Sequence, residues 1–472
     1  MVVGSQPRLP SDVVLKIGYW LSDATSFFGF LEALGTPDTR GPFCDSLWQV
    51  QATTTTPRDS LWPSLLLTEE TFQAFRGLGE IILQHHPHIV VMWRGDLGWL
   101  SQNLGKSTVC SWYASFPSSA ADAIVHDAMV PLTTWFDVWT QLPVAHLVIR
   151  NPRPSHRLRR RPPTLPANAT SSLYAALPRC HRLVSFTFEG TPNWSAIFAF
   201  AASSASLVDL HVTDTTRSER PLLQTPQLVD ATTWLTRARV RTVHFEPLRL
   251  APEISRNVRC AFFAALLACP TMQLMRGFDW NLSHLDDAMS ASSLAMRKLS
   301  LGDITLTPRG LATIAQALSR STLLTELQMT DLRDVETNSD YAPVFAQFFQ
   351  ALVQSNVKAV DLSGWTLGDA HWATLGPLLQ RTKLTFVELS YNGITDIGAA
   401  WIAQAIQANE TIAHLVLCAN RISVDGVKRL LDSAVGRPVS FSLTLGWDSN
   451  YSDDEKQQLR ALATERGIQL KI

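Results

Sequence analysis

The residue types that could carry chemistry fall in a few short stretches, and spacing argues against each as a reaction centre. Gly98-Trp-Leu-Ser-Gln-Asn-Leu-Gly105-Lys106-Ser107 has the glycines, lysine and serine of a phosphate-cradling loop. Six residues separate its glycines, against the four of G-x-x-x-x-G-K-[ST], so the backbone amides cannot converge on one phosphate. His85-His86-Pro87-His88 offers imidazoles. Neighbours on an extended segment point apart, and no Cys or acidic partner stands at ligand spacing, which leaves a surface loop. Asp448-x-Asn450-x-Ser452 starts like a calcium loop but lacks the central glycine and the closing glutamate. Arg157-Leu158-Arg159-Arg160-Arg161-Pro162 is basic and reads as a solvated loop, with a nuclear address or a weak nucleic-acid contact as the alternative. No Ser/His/Asp or Cys/His set forms a local catalytic signature. The expectation is a chain with no catalytic residue, no metal site and no cofactor.

Composition agrees with a binding role. The 472 residues are 46% hydrophobic and 17% charged, which supplies a large core. A formal net charge of −1 gives no global pull towards nucleic acid or an anionic membrane. Six scattered cysteines without a C-x-x-C pair read as reduced, buried hydrophobes. The opening Met-Val-Val-Gly-Ser-Gln-Pro-Arg is not a secretion signal. The longest apolar run, Cys260 to Cys269, is far short of a membrane span. A cytoplasmic chain is expected, with the nucleus as the alternative.

The elements that would position a binding surface are written as a repeat. Leu384-x-x-Val387-x-Leu389-x-x-Asn392-x-Ile394 returns as Ile412-x-x-Leu415-x-Leu417-x-x-Asn420-x-Ile422, 28 residues on, and Gly398 returns as Gly426. Related strand patterns start at Leu142, Leu183, Leu207, Val240, Met296, Leu324, Val357 and Ser440, with a poor copy around Met272 to Phe278. Apolar stripes such as Leu311, Ile314, Leu318 and Ile402, Ile406 follow helical spacing between them. Ser452-Asp453-Asp454-Glu455 is a capping box that opens a last helix. A strand-plus-helix unit near 28 residues resembles the ribonuclease-inhibitor type of leucine-rich repeat. The resemblance implies an α/β solenoid of about nine to eleven repeats, a horseshoe with parallel strands on its concave face and helices outside. Each unit buries its apolar face only by stacking on a neighbour.

In such strands the leucines point inward and the alternate residues face outward. Those alternates include Glu189, Asp209, His211, His244 and Glu246, and further on Lys298, Glu326, Gln328, Asp361, Glu388 and His414. Phe386, Ser390 and Val416 complete the partner-binding set, with Tyr391 a further aromatic candidate. Acidic groups outnumber basic ones, which suits a mildly basic or mixed-charge protein target. Asn392 and Asn420 read as framework whose side chains bind turn backbone.

Residues 9–48 carry a separate pattern. Leu9-Pro10-x-Asp12-Val13-Val14-x-x-Ile17-x-x-x-Leu21-x-Asp23, with Leu47-Trp48 at the far end, resembles an F-box. Helix-start signals and an apolar stripe give a first helix, Asp23 caps a second, and Gly35, Pro37 and Gly41-Pro42 end it before a short third piece. The resemblance implies binding to the adaptor of cullin-RING ubiquitin ligases through Leu9, Pro10, Val13, Ile17 and Leu21. The middle of the unit departs from that family's pattern, with Phe30-Leu31-Glu32-Ala33-Leu34 there.

The expected organisation is a helical unit at 1–50, a junction with degenerate first repeats at 51–141, and the solenoid with its C-terminal cap at 142–472. The expected function is the substrate-recognition subunit of a ubiquitin ligase, a monomer outside its complex, with no nucleic-acid or membrane partner. The alternative is a scaffold or inhibitor whose N-terminal helices only cap the solenoid. An enzyme regulator on similar repeats, such as a GTPase-activating module, is a third reading without a nominated arginine.

Overall fold

Proline and glycine positions set the N-terminal helices. The computed structural model describes residues 9–74, 77–150, 167–215, 222–285, 293–334, 340–446 and 451–472. The basic run 157–162 and the 448–450 part of the abortive calcium loop lie outside these. Helix α1 (Ser11–Trp20) starts after extended Pro10 and stops at extended Leu21. Asp23 accepts from the Ser26 N–H and caps α2 (Ala24–Leu34), which Gly35 ends at φ +76°. Next come α3 (Pro37–Arg40) and α4 (Pro42–Thr53), each with proline at its start. The short third piece expected around Leu47-Trp48 is therefore a 12-residue helix. Pro42 opens it rather than stopping a helix, because at that position the missing N–H has no partner to lose.

Contacts divide the chain into two units, Met1–Pro192 with Ser203–Leu207, and Asn193–Ala202 with Val208–Ile472. In the first, the helices close over Phe27, Phe28, Leu31, Leu47 and Val50, all fully buried. Buried Arg40 is fully engaged: Nε donates to Leu31 O, Nη2 to Gly35 O and Nη1 to Asp45, and its plane lies over Trp48. The Trp62 ring stacks on Phe27 at 4.1 Å and donates Nε1 to Leu21 O at 2.6 Å. Tyr19 Oη donates to His85 O. These contacts dock the helices onto the segment that follows.

That segment is part of a ladder. β1 (Leu65–Leu67), β2 (His88–Val91), β3 (Val109–Trp112), β4 (Val144–Arg150) and β5 (Ser185–Gly190) pair in parallel in that order. The stretch around Gly98 is a helix, Leu97–Asn103, capped by Asp96 through the N–H groups of Gly98 and Trp99. The surface-loop reading of the histidines is corrected. His86 is 1% exposed, donates Nε2–H to Leu61 O at 3.0 Å, and is pushed down to a pKa of about 4 by burial. His88 bridges the Ser64 and Ser111 hydroxyls at 2.6 and 2.8 Å.

The second unit contains β6 (Asp209–Asp214), β7 (Thr242–Glu246), β8 (Leu274–Asn281), β9 (Lys298–Leu306), β10 (Glu326–Met329), β11 (Ala359–Asp361), β12 (Phe386–Glu388), β13 (His414–Val416), β14 (Ser442–Thr444) and β15 (Gln469–Lys471). Each pairs in parallel with the next. Helices alternate with them from Thr225–Arg237 to Asp453–Glu465, whose capping box joins Ser452 and Glu455 as expected. A helix after nearly every strand is the only economical route between parallel neighbours. The fold is an α/β leucine-rich-repeat solenoid. From residue 144 on, twelve ladder strands occur among the described residues: the poor copy forms β8, and the last strand, Gln469–Lys471, belongs to the C-terminal cap, leaving eleven before it.

The repeat residues have distinct jobs. Asn392 Oδ1 accepts from the N–H groups of Trp365 and Leu367, while its Nδ2 donates to Leu362 O and Ser390 O. Gly398 and Gly426 stand where a helix start meets a carboxylate of the preceding repeat. A Cβ on Gly398 would lie 2.6 Å from Asp369 Oδ1, and one on Gly426 would fall on Asp396 Oδ1.

Candidate binding face

Register builds the site. Cα pairing aligns Lys298, Glu326, Ala359, Phe386 and His414 in one row across β9 to β13. The next row runs His211, His244, Arg276, Ser300, Gln328, Asp361, Glu388 and Val416 across β6 to β13. Leu299, Leu327, Val360, Val387 and Leu415, the intervening positions, are buried. The two rows therefore stand on the side away from the core. Eight of the nine expected partner-binding residues lie in these rows. Ser390 does not. It is 5% exposed and bonds Glu388 through its hydroxyl and its N–H, so it orients a face residue rather than facing outward itself.

Neutral groups tie the second row together. Ser300 Oγ donates to Gln328 Oε1 at 2.7 Å, and Gln328 Nε2 donates to Asp361 Oδ2 at 2.9 Å. Ser363 Oγ donates to Asp361 Oδ1 at 2.6 Å. Burial raises the Glu388 pKa, opposed by the Ser390 hydroxyl and reinforced by the neighbouring Asp361 charge. In the first row Lys298 pairs with Glu326 at 2.5 Å. Both are about half exposed, so the pair is worth little to stability, roughly 0.2–1 kcal/mol. Phe386 and His414 rings are 6.4 Å apart.

Ala359 explains a recess on this face. Its methyl stands in the row between Glu326 and Phe386, and a cavity of about 170 Å³ opens over it. Lys298, Gln328, Asp361 and Phe386 wall it. Neither Ala359 nor Arg276 was among the expected site residues, since a search for charged and aromatic letters passes over alanine and β8 hid its register. Tyr391, the further aromatic candidate, is 66% exposed in a turn at φ +56°.

At the other end of the row, the His211 and His244 rings meet edge to face at 5.8 Å. Burial lowers both pKa values, His244 to about 4, and Arg276 depresses both further. Both imidazoles are neutral at pH 7. Asp209 raises the His211 pKa, but it is itself paired with Arg241.

Of the expected adaptor residues Val13 and Ile17 are on α1, Leu9 and Pro10 precede it and Leu21 follows it. Val14 and Gly18 are buried, whereas Val13, Ile17 and Leu21 are half-buried and Pro10 is exposed. Leu9 is 47% and Trp20 87% exposed. Trp20 was missed, although its spacing of three from Ile17 and seven from Val13 puts it on their stripe.

Among the described residues, no group of three or more His, Cys, Asp or Glu could hold a metal ion. No helix of the described residues is long and apolar enough to cross a membrane. Comparison with known protein families finds none that matches, and no curated protein matches either. Among solved structures, the chain is similar to the leucine-rich repeat-containing protein LegL7 from Legionella pneumophila. The identity is 18% over 65% of this chain and 87% of that one, with a TM-score of 0.37. The repeat architecture described above rests on strand register and not on that likeness.

Proposed function

We propose that this protein is a non-catalytic protein-binding subunit whose strand face in the second unit holds a target. The observation that carries the reading is the register, which sets eight residues expected at alternate strand positions in two adjacent rows. Half-exposed carboxylates and a phenyl ring beside a recess are the materials of a selective interface: charge sets orientation and approach, and an aromatic anchor supplies buried area. We further read the chain as the substrate-recognition component of a cullin-RING ubiquitin ligase acting in the cytoplasm or nucleus. On this reading α1 and its two flanks hold the adaptor through Leu9, Pro10, Val13, Ile17 and Leu21. The F-box-like spacing and the apolar side of α1, with Trp20 the most exposed, support it.

The alternative, a scaffold or inhibitor with a helical cap, is favoured by the opposite side of α1. There Val14 and Gly18 are buried, the Phe27 ring meets Gly18, and Tyr19 and Leu21 bond to His85 and Trp62. The full chain and its Leu9→Asp, Ile17→Asp double variant separate the readings. Capture of a cullin adaptor by the first and not the second supports the ligase role. No capture by either leaves the cap. For the target, Glu326→Lys, Asp361→Lys and Glu388→Lys together should abolish partner capture while the unfolding transition is kept. Unchanged capture would sink the strand face as the binding surface.

A further inference from the structure

We propose that the row from His244 to Glu388 reads an extended segment of the partner by two charges of opposite sign at a fixed separation. An anionic side chain sits on Arg276 and a cationic one between Asp361 and Glu388. The inference rests on the strand-face reading and specifies the partner's chemistry.

The charges along this row differ in whether the fold already satisfies them. Four carboxylates on or beside the strands of the second unit have internal cations: Asp209 has Arg241, Asp279 has Arg249, Asp303 has Arg333 and Glu326 has Lys298. Arg276, Asp361 and Glu388 have no ion pair among the described residues. The two carboxylates are instead held by neutral donors from Gln328, Ser363 and Ser390. Such donors fix orientation and leave the charge uncancelled. Asp361 and Glu388 are register partners on adjacent strands, so their repulsion is relieved by one cation placed between them.

Geometry fixes the rest. The cavity over Ala359 opens beside Asp361 with the Phe386 ring as its wall. It suits the aliphatic stem of a lysine or arginine whose head reaches the carboxylates. Arg276 lies three strands from Asp361 and four from Glu388, which is ~14 and ~19 Å at the usual strand spacing. An extended chain advances ~3.3 Å per residue, so the two partner charges stand about four to six residues apart.

The test is selection of a random dodecapeptide display library on the full chain. Enriched peptides should carry one Asp or Glu and one Lys or Arg about four to six residues apart, and Arg276→Glu should weaken such a peptide about tenfold. Arg276→Glu should erase the acidic preference alone. Asp361→Asn with Glu388→Gln, which keeps the shapes and the bonds from Ser363 and Ser390 but gives up the one from Gln328 Nε2, should erase the basic preference alone. Enrichment without the spaced pair, or a pair indifferent to these variants, overturns the proposal and leaves the strand face standing. Recovery of no peptide also overturns it, since it demands a linear segment. The broader reading is judged separately by the charge-reversal capture.

Discussion

Asn420 closes the turn of the repeat before its own: its Oδ1 accepts from the N–H of Asn392 at 3.1 Å and of Ile394 at 3.0 Å. Its Nδ2 donates to Leu389 O and Leu417 O. Asn392 does the same one repeat earlier, and is more deeply buried. A buried backbone group left unmade costs about 1–3 kcal/mol. Asn392→Ala should therefore lower stability by ~3 kcal/mol or more, and Asn420→Ala by less because water reaches its turn. Urea unfolding measures both. A loss below ~1 kcal/mol for Asn392→Ala would show that the ladder holds without it.

Gly398→Ala tests packing against propensity. Alanine is the better helix former by ~1 kcal/mol. Its methyl would meet Asp369 Oδ1, which accepts from the Thr395 and Gly398 N–H groups. Overpacking costs about 1–3 kcal/mol, so a net loss is expected. Combining it with Asp369→Ala should make the losses non-additive, because the second change removes the clash. Strictly additive losses would place the cost elsewhere.

The His86 imidazole links stability to pH. Its folded pKa of about 4 lies below the ordinary 6.5. The unfolded chain therefore takes up the proton first, and stability falls as pH drops from 6.5 towards 4. The linkage is worth up to ~3 kcal/mol. His86→Gln should flatten this slope, allowing for the His244 contribution, which has the same sign. A proton titration of His86 near 6.5 in the folded chain would refute the assignment.

Glu388 has the opposite sign. Its folded pKa is raised by burial and by Asp361, so its ionisation opposes folding at neutral pH. Glu388→Gln should raise the unfolding midpoint at pH 7 and lose that advantage as pH falls through the carboxylate range. The same variant should weaken binding of a basic segment. Thermal scans at pH 7 and pH 4 decide it, and a midpoint lowered at pH 7 would contradict the burial argument.

The regular half of the array was legible because its period is constant. Leu384 to Leu430 repeats leucine, asparagine and glycine at one offset, and each letter has one physical job. The stretch from Leu65 to Trp112 was the least legible for a physical reason. Its strands are three or four residues long, and the helices between them have only six or seven. Neither length lets a period declare itself. Arg276 was lost for another reason: Trp280 folds back over Gly277 and donates to Phe245 O at 2.7 Å, which breaks the alternation that reveals a strand. His86 was misread because its neighbours signal a loop, while only the folded chain supplies Leu61 O.

The exposed Trp20 ring has an optical consequence. Eight other indoles are all but fully buried, and among the described residues no tryptophan apart from Trp20 is exposed. A collisional quencher such as iodide therefore reaches Trp20 more readily than those buried indoles in the native state. Any macromolecule that settles on that side of α1 announces itself as a loss of quenching, with no label attached.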